Sequence, residues 1–138
     1  MKTKKNKCPL NTIEHLFLAY RDGTISPNEV VEHFLGNIER LNGYYDAYQS
    51  IWAKEAVEAA HVAEKSLKAG YDRGPLHGIP FALKDIFFVE GKHTSCGSSV
   101  VKNNKLKPTS EVVGRLVDGG AIILGKTKTV ECLSLIHI

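Results

Sequence analysis

Gly74-Pro75-Leu76-His77-Gly78-Ile79-Pro80-Phe81-Ala82-Leu83-Lys84-Asp85 is the stretch on which the reading of this chain turns. Glycine and proline mark residues 74–80 as a loop, which delivers Phe81 to Lys84 as a short buried strand. The strand ends on a lysine, a residue almost never fully buried without a partner. Many strand-end lysines simply carry their ammonium into solvent. Held among apolar neighbours, however, a lysine is driven toward the neutral amine, which can take a proton from a hydroxyl. Lys84 is therefore a candidate catalytic base. An acid touching the amine would work against that role, and Asp85 is its neighbour in sequence. Because successive strand side chains point to opposite faces, Asp85 is expected to turn away from Lys84 and hydrogen-bond the backbone of the turn that follows.

Upstream of that stretch the pattern is helical. A first helix is expected near residues 12–22, with Asn11 as cap, Ile13, Leu16, Phe17 and Tyr20 on one side, and Gly23 as its stop. Ser26-Pro27-Asn28-Glu29 places a cap, a proline at the first helical position and a capping-box glutamate ahead of Val30, Val31, Phe34, Leu35, Ile38 and Leu41. Asn42-Gly43 is the expected end of that second helix. Tyr48 to Trp52 suits a strand, and the alanine-rich run from Ala53 to Ala69 suits a third helix closed by Gly70.

Downstream, Thr94-Ser95-Cys96-Gly97-Ser98 is a loop of small polar residues. Val112 to Asp118 reads as a helix stopped by Gly119-Gly120, and Ala121-Ile122-Ile123-Leu124 reads as a strand. Gly120 to Thr127 also fits the pattern G-x-x-x-x-G-K-[ST] of a phosphate-binding loop. Such a loop needs an open backbone between its two glycines, whereas here a strand lies between them, so nucleotide binding is rejected.

In order and spacing, Gly74-Pro75-Leu76-x-Gly78-Ile79-Pro80-x-x-x-Lys84-Asp85, Thr94 to Ser98, Ser110 to Leu116, and Gly119 to Thr127 resemble the amidase signature family. That resemblance implies an α/β fold, a mixed central sheet flanked by helices, of which this chain supplies the N-terminal part. It implies amide hydrolysis through a Ser-cisSer-Lys triad, with a carboxylic amide as small-molecule substrate and no cofactor. Lys84 falls on the lysine of the triad. The family's G-S-S-G-G-S type signature occurs nowhere in the chain, and Ser98-Ser99 does not replace it. The chain is thus expected to carry one of the three triad residues and to be inactive alone.

The related glutaminase component of a tRNA-dependent amidotransferase, which releases ammonia from glutamine and works with partner subunits, is the alternative; a free amidase leaves a homodimer open. Lys126-Thr127-Lys128-Thr129-Val130-Glu131 resembles general amidases more, since the glutaminase component commonly carries Asn-Met-Asp after Lys-Thr. A non-catalytic interaction domain is the alternative of another class.

Composition sets the bounds on all of this. With 138 residues, 43% hydrophobic and 24% charged, the chain has an ordinary globular composition. Its net charge of +3 comes from Lys2, Lys4, Lys5 and Lys7, so the excess is a basic tail over residues 1–9 and no nucleic-acid face is expected. No segment has the length of a signal-peptide core or a membrane span, which leads to the expectation of a cytoplasmic protein without membrane contact. Cys8, Cys96 and Cys132 are odd in number and far apart, as free thiols in a reducing compartment would be. Histidines and cysteines lack metal-ligand spacing, so no metal is expected. By the same resemblance, residues 10–132 are expected to be the amidase part. Leu133-Ser134-Leu135-Ile136-His137-Ile138 resembles the translation of a sequencing adapter and is set apart as non-native, although its alternation would also suit a strand.

Overall fold

The structure, a computed structural model, describes residues 12–101 and 107–134. In chain order these form α1 (Ile13–Asp22), α2 (Pro27–Tyr45), β1 (Tyr48–Ile51), α3 (Ala53–Lys68), β2 (Pro80–Lys84), α4 (Glu111–Asp118) and β3 (Ile122–Thr127), then a 3-10 turn at Glu131–Leu133. The basic tail, Cys8, the expected cap Asn11 and residues 135–138 lie outside the described residues.

Local chemistry accounts for most of the boundaries. The Thr12 hydroxyl takes the role expected of Asn11, accepting from the His15 N–H at 3.1 Å. The capping box of α2 forms as read: Ser26 Oγ accepts from the Glu29 N–H at 3.2 Å, while Glu29 Oε2 accepts from the Ser26 N–H at 2.8 Å. This helix does not stop at Asn42-Gly43. A single glycine costs a helix only about 1 kcal/mol, and the chain continues to Asp46, whose left-handed φ of 49° closes the helix through an N–H to the Asn42 carbonyl at 2.8 Å. The Asn42 side chain then accepts from the Tyr48 N–H at 2.8 Å, tying the helix end to the start of β1.

The sheet has the order β1-β3-β2, so the last strand in sequence sits in the middle. β1 runs antiparallel to β3 and β2 runs parallel to it. A parallel neighbour requires a crossover, and residues 85–121 provide it through α4. Adjacent residues of β3 serve opposite faces. Ile122 and Leu124 pack on Val31 of α2 and on the small side of α3 formed by Ala56, Ala60 and Ala63. Ile123 joins Trp52, Leu83 and Val113 of α4 on the other face. α1 is held at the margin through Leu16 and Tyr20, which meet Val30 and Ile79.

Both ladders slip at one residue. The β1 register shifts between Tyr48 and Ser50, opposite Thr127 and Lys126, and the β2 register shifts between Phe81 and Ala82, whose partners step from Ile123 to Gly125. The φ of 153° at Gly125 and the closeness of the Ser50 carbonyl oxygen make this a position where a side chain would collide with β1.

Two strand expectations need correction. β2 is largely half-exposed, with Leu83 its one buried residue, because it lies at the edge of the described sheet. β3 begins at Ile122 and runs on through Gly125, Lys126 and Thr127. The latter strengthens the rejection of a phosphate loop, since the backbone between the two glycines is spent on ladder hydrogen bonds. Leu133 belongs to the 3-10 turn and not to a strand.

Candidate functional site

β2 and β3 end level with one another, with Lys84 paired to Thr127. The carboxyl ends of parallel strands are where α/β sheets open crevices for ligands. Here the chain leaving β2 and the chain leaving β3 cross-link at once. The Asp85 N–H donates to the Thr127 carbonyl at 3.0 Å, and Lys84 Nζ donates to the Lys128 carbonyl at 2.7 Å. Beside them opens a cleft of about 470 Å³, lined by Gln49, Ser95, Gly97, Ser98, Lys128 and Thr129 among others. Lys84 stands behind its Lys128 wall and does not itself line it. The Thr129 hydroxyl oxygen is buried there with no hydrogen-bond partner among the described residues.

Lys84 is half-buried, contrary to the fully buried strand end that the flanking Phe81, Ala82 and Leu83 suggest. The buried lysine is Lys126, 1% exposed. Its ammonium meets three oxygens: the His93 carbonyl at 3.0 Å, the Thr94 hydroxyl, and Asp85 Oδ1 at 3.2 Å. The first two are hydrogen bonds, whereas Asp85 Oδ1 meets the ammonium as an ion pair without a hydrogen bond. Burial pushes the Lys126 pKa below the ordinary lysine value, against the opposing pull of Asp85. The acid adjacent to Lys84 in sequence therefore serves the other lysine, as strand alternation allows.

Asp85 is also 1% exposed. Its second oxygen, Oδ2, accepts from the Ser95 N–H at 3.0 Å and from the Ser95 hydroxyl at 2.5 Å, in line with the turn-holding role read from sequence. The Asp85 carbonyl accepts from the Cys96 N–H at 3.0 Å, and the Cys96 carbonyl accepts from the Cys132 N–H at 2.7 Å. Between these anchors Gly97 adopts φ 72° so close to the 129–130 backbone that a Cβ would lie 2.6 Å from the Thr129 carbonyl oxygen. Ser98 Oγ donates to Glu131 Oε1 at 2.5 Å. The small polar loop is thus small because two backbones pass against each other.

Cys96 is not activated as a nucleophile in this arrangement. Cys96 and Cys132 are free, and burial, followed by the nearness of Cys132, raises the Cys96 pKa, which disfavours a thiolate. His77 lies beyond the opposite end of β2, packed against Gly120. Its Nδ1 accepts from the Arg73 N–H at 3.1 Å. Burial lowers its pKa below the ordinary 6.5, only partly offset by Asp72. The folded protein therefore resists a proton that the unfolded chain accepts. Its contribution is complete above the ordinary histidine pKa and is lost as pH falls through the window below it. Urea unfolding at pH 7.5 and pH 5 should show the protein less stable at the acid end, and His77→Gln should flatten that difference. An unchanged pH dependence in the variant would refute the assignment.

Among the described residues no group of three or more His, Cys, Asp or Glu side chains is gathered to hold a metal ion, and no helix is long and apolar enough to cross a membrane.

A profile of the Amidase family matches residues 29–137, which include Lys84, the cleft loop and all three strands. The chain belongs to the Amidase family. Amidase-family relatives agree with this in sequence and in shape. The A-type subunit of the glutamyl-tRNA(Gln) amidotransferase of Alkalilimnicola ehrlichii is 38% identical over 120 residues, 87% of this chain and 25% of that protein. Its counterpart in Aromatoleum aromaticum is 42% identical over 107 residues, covering 78% of this chain and 22% of that protein. Among solved structures, the peptide amidase from Stenotrophomonas maltophilia superposes with a TM-score of 0.81 at 28% identity, covering 88% of this chain and 25% of its own. The α/β reading of the sheet and helices is therefore that of the amidase signature fold. This chain spans about a quarter of the length of the curated relatives it matches.

Sequence reasoning singled out Lys84, Asp85 and the 94–98 loop, which the structure brings to one end of the sheet, and missed Lys126. The signal was available: Ile122-Ile123-Leu124-Gly125-Lys126 is also a lysine at the end of an apolar run.

Proposed function

We propose that residues 10–132 are the N-terminal part of an amidase that hydrolyses a carboxylic amide by acyl transfer, with Lys84 as the catalytic base. Residues 1–9 are a basic extension and 133–138 are non-native. The observation that carries the reading is the position of Lys84: it ends β2 at the carboxyl edge of the parallel pair, its Nζ held on the Lys128 carbonyl at the wall of the cleft, within the segment that matches the Amidase family. A primary amine there can take a proton from a serine and return it to the leaving amine. In the family this resembles, the proton passes through a second serine, and backbone N–H groups stabilise the oxyanion. Both serines would come from outside this sequence, so the chain alone should not turn over substrate. The Thr129 hydroxyl on the cleft wall, without a partner among the described residues, is a group that a bound ligand would satisfy. A cytoplasmic location and a small amide substrate complete the proposal, with no cofactor or metal.

One observation favours a second reading, the glutaminase component of a tRNA-dependent amidotransferase: the 38% identical relative carries the name of that enzyme. Against it, Lys128-Thr129-Val130 follows Lys126-Thr127 where that component commonly has Asn-Met-Asp. Ammonia release separates the two. The full-length protein, purified alone, should release ammonia from simple carboxamides. Release from glutamine only, and only with partner subunits, would favour the second reading; no release under either condition would leave the non-catalytic interaction domain.

A further inference from the structure

We infer that Lys126 and Asp85 are a positioning pair that latches the Thr94–Ser98 wall of the cleft to the strand ends and so fixes the seat of Lys84. The effect on turnover rests on the amidase reading; the effect on the loop does not.

The two charges are almost completely shielded from water, which makes them costly unless each is fully engaged. Each is engaged with the same short segment. Lys126 reaches out of the central strand to the His93 carbonyl and the Thr94 hydroxyl, and Asp85 reaches from the end of the neighbouring strand to the N–H and hydroxyl of Ser95. Their own contact of 3.2 Å joins the two halves. Three consecutive residues of the loop are thereby tied to two adjacent strands through one ion pair. Next along, Ser95 Oγ accepts from the Gly97 N–H at 3.2 Å, which carries the restraint to the glycine that grazes the 129–130 backbone. Ser95, Gly97 and Ser98 are cleft-lining residues, so the shape of that wall follows from the pair.

The same pair bears on Lys84 through one peptide unit. Asp85 is fixed on both sides, by its N–H to Thr127 and by its side chain to Ser95 and Lys126. The Lys84 side chain leaves the strand at the residue before it, and its Nζ is held at Lys128, two residues beyond Lys126. A loosened pair frees the backbone on either side of the Lys84 hydrogen bond. Neither member is itself a catalytic residue.

The test uses the full-length protein. Lys126→Met alone strands the Asp85 carboxylate without its cation and is expected to impair folding, so the decisive variant is Lys126→Met combined with Asp85→Asn, which removes both charges together. Amide hydrogen exchange read by mass spectrometry should then speed up by about tenfold or more in the peptide spanning 93–99, with α2 and α3 unchanged. The rate of amide turnover should fall by about tenfold or more with KM little altered, the split expected when a base is misplaced but binding persists. Unchanged exchange in 93–99 would overturn the inference, and so would exchange accelerated equally through α2 and α3, which would make the pair a general core element. If the parent protein shows no amide turnover, the amidase reading fails and the exchange result still decides the latch.

Discussion

Lys84→Ala in the full-length protein is expected to lower the rate of amide turnover by about a hundredfold or more, the scale of a positioned general base. Lys84→Arg should fail as well. A guanidinium keeps length and charge and could still donate to the Lys128 carbonyl, but it does not give up a proton near neutral pH. The pair of variants thus separates two roles that alanine alone confuses, a proton carrier and a cation that merely ties two strand ends. Substrate binding should suffer less than turnover in both. Steady-state kinetics on variants shown to be folded makes the measurement. A folded Lys84→Arg protein with near-normal turnover would reduce Lys84 to a strand-end tie and remove the base from the proposed mechanism.

The second large effect is on stability. Gly125→Ala should destabilise the protein by about 3 kcal/mol or more, which is severe for so small a chemical change. Two penalties act together: a backbone angle of 153° that side chains rarely adopt, and a new Cβ driven into the Ser50 carbonyl of β1. The added methyl has no flexible neighbour to displace, since Ser50 and Ile51 meet it with backbone atoms. Urea unfolding compared with Ala82→Gly, a change on the exposed side of β2, provides the measure. A Gly125→Ala protein as stable as its parent would mean that β1 does not press on β3 as the structure has it.

Much of the architecture was legible because it is encoded locally. Ser26-Pro27-Asn28-Glu29 announces the start of α2, and Gly119-Gly120 the end of α4, through capping chemistry that needs no tertiary context. The end of α2 was misplaced at Asn42-Gly43 because the winning term is not local. Asn42 is spent on the Tyr48 N–H and Asp46 supplies the cap, and both depend on where β1 starts. Exposure of β2 was misjudged for a similar reason. Phe81-Ala82-Leu83 is apolar enough for a buried strand, but burial is decided by what lies on each side, and β2 is an edge.

At the site, Lys84 and Asp85 were found by motif, whereas the pairing of Asp85 with Lys126 was not. A parallel crossover of some forty residues separates them, and no periodicity reports which of two strand-end lysines an aspartate will face. Lys126 was also hidden by its resemblance to a phosphate-loop lysine. Rejecting that loop left the burial of the lysine unexplained.

The place of β3 between β1 and β2 has a consequence for how this polypeptide is made. A ribosome emits the two helices that carry Val31, Ala56 and Ala60, and both outer strands, well before it reaches Ile122. Until then β1 and β2 have no strand between them, and the apolar side of α3 has no Ile122 or Leu124 to cover it. Ordering of the sheet therefore waits for residues near position 125 to close loops that reach back more than seventy positions to β1, the kind of distant pairing that slows folding. During that interval the nascent segment is sticky, and a pause in translation between α3 and β3 would favour aggregation over delayed success.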